Sequence, residues 1–148
     1  NNMAKQTINI GTTANDGTGD TVRSAFDKVN DNFTELYNER IEGSFSTATV
    51  DGSGNLIVDF SNGALSVAMD KNITSFIFQG ATSGVRNEIL VRLTQDSVGG
   101  RTITSTGVNT AGSLGWDIST TANAVSFITF VTFDGSTIYG FSNGKNFG

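Results

Sequence analysis

The chain has no cysteine, no histidine and no proline among its 148 residues. Without cysteine there is no thiol nucleophile and no disulfide. Without histidine the Ser-His-Asp triad, the common imidazole base and the usual zinc ligand sets are also excluded. Basic charge is scarce: nine Lys and Arg stand against fourteen Asp and Glu, giving a net charge of −5 and a pI near 4.4. That leaves no basic footprint for nucleic acid or for an anionic membrane surface. Charged residues make up 16% of the chain, against ~25% in ordinary soluble domains. No stretch approaches the ~18 apolar residues of a membrane span, so no membrane insertion is expected, and no signal-peptide pattern opens the chain. What is abundant is glycine, 18 residues, about 12% against an average of ~7%. Thr, Ser, Asn and Gly fill the polar positions that charges usually occupy, which is the composition of a turn-rich β protein. The length suits one domain with a small appendage and is enough to bury a core without a staple.

Asn1 and Asn2 precede Met3 and read as an addition to a native start at Met3, so they are set aside from fold reasoning. Residues 5–10 (KQTINI) form a short extended run, and residues 11–20 (GTTANDGTGD) have loop composition. Residues 21 to about 41 read as a helix capped by Asp20 or Thr21. Val22, Phe26, Val29, Phe33 and Leu36 recur at spacings of 4, 3, 4 and 3, the a/d seam of a coiled coil. Arg40 takes the next seam position, so the strict repeat covers just over two heptads, and Gly43 ends the helix or opens a linker.

After Gly43 the period changes to 2. Alternating runs cover residues 56–60, 64–69, 73–78, 89–94, 125–132 and 138–141, separated by turn signals such as Asp51-Gly52-Ser53-Gly54, Ser61-Asn62-Gly63 and Asp134-Gly135-Ser136. Seven to nine strands at this spacing predict an antiparallel β-sandwich or jelly roll. The fold class expected is thus mainly β: residues 1–43 as an N-terminal strand, loop and helix, and residues 44–148 as a β-sandwich knob. Residues 73–78 and 124–133 are apolar on both faces. A strand with one wet face would not be, so these runs imply a second buried surface such as a subunit interface.

The string INIGTTANDGTGDTVRSAFDKVNDNFTELY, residues 8–37, resembles an N-terminal module common in tail-fibre and other virion proteins of tailed bacteriophages. LTQDSVGGRTIT (93–104), TTANAVSFITFVTFDGSTIYGF (120–141) and the closing GKNFG resemble a β module seen at the C-termini of phage tail and fibre proteins. In that module a tryptophan-proline usually follows the GGRT strand; here Ser105-Thr106 stands there and Trp116 comes later. The resemblance implies a virion structural protein on the phage tail or particle surface. It implies other virion proteins as partners and possible contact with a host surface glycan.

The residues offer five candidate chemistries. Asp16-Gly17-Thr18-Gly19-Asp20 places oxygen ligands at alternate positions, as a calcium loop does. Thr21 stands where an EF-hand needs glycine, so a tight loop with capping carboxylates is the better reading and no metal is expected. The same glycines lack the Gly-Lys-Ser/Thr of a phosphate loop, and Asp16 and Asp20 would repel phosphate. The acids of the β region (Asp51, Asp59, Asp70, Glu88, Asp96, Asp117 and Asp134) are not paired by spacing, and most sit in turn contexts. No glycosidase pair is therefore visible, no repeat announces a β-helix, and the chain is expected not to be an enzyme and to need no cofactor. Trp116, after Gly115 in a Gly-rich segment, is the best single residue for stacking on a sugar, with core or interface packing as the alternative. Arg101, after Gly99-Gly100, is a candidate to bind an acidic ligand, but it is expected to bond turn carbonyls or Asp96 across the hairpin.

The expectation is a homotrimeric virion appendage, tail-fibre or fibre-like. Its helix would form a short trimeric coiled coil through Val22, Phe26, Val29, Phe33 and Leu36. A head or neck decoration protein is the alternative within the same class, and a carbohydrate-binding receptor module (an adhesin) the alternative outside it.

Overall fold

The computed structural model describes the backbone of residues 5–41 and 45–148 and the side chains of 5–36 and 45–148. The Asn1–Met3 start, the Arg40 side chain and the helix stop at Gly43 lie outside the described residues. The chain divides into two compact units, Asn1–Gly43 and Ser44–Gly148.

The first unit is built on α1, Val22–Ile41. Thr21 caps it: its Oγ1 accepts the Ser24 amide at 3.3 Å, satisfying one of the free N–H groups of the first turn. No described helix is long and apolar enough to cross a membrane.

The second unit has eight strands: β1 Phe45–Thr49, β2 Asn55–Asp59, β3 Ala64–Met69, β4 Ser75–Gln79, β5 Asn87–Gln95, β6 Asn109–Thr110, β7 Val125–Thr132 and β8 Tyr139–Phe147. They form a six-stranded sheet in the order β1-β3-β5-β7-β8-β6 and a two-stranded sheet of β2 and β4. The expected antiparallel pairing holds only for β5–β7–β8. Elsewhere the sheets are parallel: β1 with β3, β3 with β5, β2 with β4, and β6 with β8. The physical reason lies in the path of the chain. From β1 to β5 successive strands alternate between the two sheets, so each strand reaches its neighbour only after an excursion through the other sheet and arrives pointing the same way. This is a short coil. It continues past β5 into one more parallel bridge, Ile73 beside Ile103.

Alternation then sets the core. Leu56 and Val58 of β2, Leu65, Val67 and Met69 of β3, Ile89, Val91 and Leu93 of β5, and Ile128 and Phe130 of β7 all point inward and are buried in one apolar cluster. The inward faces of both sheets share it. Phe76, Phe78 and Phe130 pack edge-on or tilted with ring centroids 4.9–5.9 Å apart, geometries that the ring quadrupole favours.

The turns are held by carboxylates. Asp51 accepts the amides of Ser53 and Asn55, Asp59 that of Ser61, and Asp134 those of Ser136 and Thr137. Glycine is required where the chain doubles back most tightly. Gly99 has φ +72°, and a Cβ there would lie 2.7 Å from both the Thr120 carbonyl and the Ala122 amide.

Candidate assembly surfaces

In the N-terminal unit, residues 5–10 lie along the polar side of α1. Asn32 clamps the backbone of Gln6, its Oδ1 accepting the Gln6 amide and its Nδ2 donating to the Gln6 carbonyl, both at 2.9 Å. One turn earlier, Lys28 donates to the Thr7 carbonyl at 3.1 Å and to Asp20 at 2.6 Å. Asp20 in turn accepts the Asn9 amide. Burial of this ion pair is partial, so its worth lies in fixing geometry more than in net stability. The loop of residues 11–20 closes on Asp16, whose carboxylate accepts the hydroxyl of Thr12 and the amides of Thr12, Thr13 and Thr18. These bonds hold it far below the usual carboxylate range, the Thr12 hydroxyl contributing most. Among the described residues no group of three or more acids gathers as a metal site would need.

With the polar side of α1 occupied by its own chain, the opposite stripe stays open. Val22 is 75% exposed, Phe26 63%, Phe33 66% and Leu36 50%, while Val29 is half-buried. All five lie where the heptad spacing puts them, on one side of one helix. No element of the described N-terminal unit covers that side.

In the β domain the outward face of the six-stranded sheet mixes exposed apolar side chains with Thr47, Ser66, Glu88, Arg92 and Thr94. Phe45, Leu90, Phe141 and Phe147 are exposed on it, and Phe127 packs edge-on to Phe147 at 5.4 Å. β1, β3 and β7 carry no charged residue at all. A groove of about 190 Å³ opens between Phe45, Ala64, Ser66, Leu90, Arg92 and Phe127. Arg92 donates through Nη2 (2.9 Å) and Nε (3.3 Å) to the Ser66 hydroxyl.

Trp116 is half-buried and packs against the core. Its ring sits edge-on to Phe76 at 5.5 Å and to Phe130 at 5.3 Å. The residue opposite is Gly140, where a Cβ would run into the indole. Arg101 binds Asp96 through Nη2 at 2.7 Å and Nε at 3.2 Å, the turn role its position predicts. That guanidinium is the largest cause holding Asp96 below the ordinary carboxylate range. The other acids of the β region are spread over separate turns and ion pairs: Asp70 with Lys71, Glu88 with Arg86 and Asp117 with Lys145.

A family model described as bacteriophage T4 gp9/10-like protein, N-terminal, matches residues 5–145. The chain belongs to that family. It is a phage virion structural protein, as the motifs in its first 37 residues led one to expect. Comparison with curated proteins and with solved structures gave no match. Sequence reasoning for this gp9/10-like chain missed Arg92, Phe45 and Asn32. Arg92 had a readable signal, being a lone cation at an outward position of an alternating strand. Phe45 had little, because the short run FSTAT carries no alternation of apolar and charged residues.

Proposed function

We propose that this gp9/10-like protein is a homotrimeric tail-fibre or fibre-like appendage of the phage particle. Three copies of α1 pack through Val22, Phe26, Val29, Phe33 and Leu36, and the β domain follows them in the chain. One observation carries this reading: the apolar stripe of α1 is open while its polar side is already taken by residues 5–10. Burying a large apolar side chain is worth about 1.5–3 kcal/mol, so five such positions in each of three copies form a substantial seam. Phenylalanine at two of the five positions favours three helices over two, because a wider axis accommodates the rings. Other virion proteins are the partners, docked through the N-terminal unit, with host contact at the knob. The receptor-module alternative rested on Trp116 and gains nothing from a ring packed against the core. A head or neck decoration protein would use the same seam.

Light scattering of the intact chain at micromolar concentration tests the seam, with a trimer mass expected. A monomeric or dimeric mass would overturn it. Phe33→Asp places three carboxylates together on the axis and is expected to weaken the helical bundle, while the β domains keep their fold.

A further inference from the structure

We propose that the outward face of the six-stranded sheet is a second interface between copies of this chain, with Arg92 receiving a carboxylate from the neighbouring copy. The proposal rests on the homotrimer reading and adds to it a surface on which the helix seam does not depend.

The composition of the face is the first argument. The outward row Phe45, Ala64, Leu90, Thr129 and Phe141 crosses five strands in register and contains no charge. Across β1, β3, β5, β7 and β8 the charged residues are Glu88, Arg92 and Lys145. A sheet face that meets only water alternates apolar-in with polar-out; contiguous exposed apolar surface marks an interaction site.

The groove decides the size of the occupant. Its volume of about 190 Å³ is below the ~300–1,000 Å³ of sites for drug-sized ligands. It suits one protruding side chain. Charge decides the chemistry. Arg92 has a hydroxyl partner in Ser66 but no carboxylate partner among the described residues. Its fork is therefore oriented and still has N–H groups to donate.

Connectivity decides the partner. Only three residues separate the end of α1 from Phe45. Four Cα–Cα steps of ~3.8 Å keep Phe45 within about 15 Å of the helix end, whatever the angle there. Helices that associate therefore keep the β1 edges of all copies on short tethers from one another. A weak apolar face then works at the effective concentration of a short tether, in the millimolar range. The reverse also holds: a helix seam of two heptads is marginal alone and gains from a second contact.

The test uses the full chain, with sedimentation equilibrium and light scattering from nanomolar to micromolar concentration. Arg92→Glu and Phe45→Ser alter the face, Ile57→Ser alters another exposed apolar position, on the two-stranded sheet, and Phe33→Asp alters the seam. Circular dichroism melts confirm folding of each. Arg92→Glu and Phe45→Ser are expected to weaken self-association on the order of tenfold or more, with Ile57→Ser unchanged. If both face variants match Ile57→Ser while Phe33→Asp dissociates the trimer, the face proposal falls and the trimer stands. If Phe33→Asp is silent while the face variants dissociate the oligomer, the face stands and the seam falls. A monomeric wild type overturns both. Saturable binding of glucuronate by the wild type, lost in Arg92→Glu without change of mass, would give the groove to an acidic sugar and overturn the second copy as occupant.

Discussion

The contact between Trp116 and Gly140 can be tested closely, because Trp116 is the sole tryptophan and reports its own environment. Gly140 lies in β8, opposite Phe130 of β7. A Cβ at 140 would fall on the indole at Cη2, with Val108 Cγ1 at 2.8 Å and Trp116 Cζ2 at 3.0 Å. Gly140→Ala therefore has to push the ring away from Phe76 and Phe130 or bend β8. Overpacking of this kind costs about 1–3 kcal/mol. Trp116→Ala removes the ring, and full burial would make that loss about 3–5 kcal/mol; half-burial places it toward the lower end. The two changes should not add. With the indole gone, two of the three obstructing atoms are gone, so Gly140→Ala in the Trp116→Ala background should cost about 1 kcal/mol or less. Urea unfolding of the four chains, followed by circular dichroism, gives the cycle, and the emission maximum of Gly140→Ala should move to the red. A Gly140→Ala chain of wild-type stability and emission would refute the packing. So would a Trp116→Ala chain that keeps full stability and loses only binding to cells, which would make the residue a contact.

Two further outcomes follow from the hydrogen bonds. Asn32→Ala removes both bonds to the Gln6 backbone and should release residues 5–10 from α1, raising amide exchange at Gln6 by on the order of tenfold for about 1–1.5 kcal/mol lost; unchanged exchange would show that the segment is held by other contacts. Asp16, Asp51, Asp59, Asp96 and Asp134 all have carboxyls held below their ordinary range by hydrogen bonds or, at Asp96, by Arg101, so the unfolded chain binds more protons as pH falls. Their contribution is complete above the unfolded carboxylate pKa of about 3.9 and is lost progressively below it. Asp134→Asn should therefore lower the urea midpoint at pH 7 and shrink its fall between pH 7 and pH 3, and an undiminished fall would exclude Asp134 as a contributor.

Much of the architecture was legible because periodicity reports burial. The 4-3-4-3 spacing placed α1 and its stripe, and the period of 2 placed the inward residues of β2, β3, β5 and β7. Strand direction was not legible. The turn residues at Asp51–Gly54 and Ser61–Gly63 look the same whether the chain turns back beside itself or crosses to another sheet, and alternation gives a residue's face without giving its neighbour. Trp116 could not be placed for a related reason. Its surroundings are made by Phe76, Phe130 and Gly140, which are distant in sequence, while its own flanks are glycine-rich and polar. The groove at Arg92 draws on four strands at once, so no local pattern announces it. The carboxylates of the turns were readable one by one, since an Asp two or three residues before an amide it can accept is a local device.

The winding of β1 to β5 also governs how such a protein can change length. Each circuit, 19 residues from Phe45 to Ala64, 20 from Asn55 to Ser75 and 26 from Ala64 to Leu90, returns the chain to the same sheet displaced by one strand spacing, about 4.8 Å. A duplicated circuit would add to both sheets at once, keep the inward and outward sides of every strand, and leave the antiparallel closing strands β7 and β8 at the far end unaltered. An insertion of half a circuit would strand the chain in the wrong sheet. Growth and shortening in this lineage should therefore proceed in whole turns of the coil.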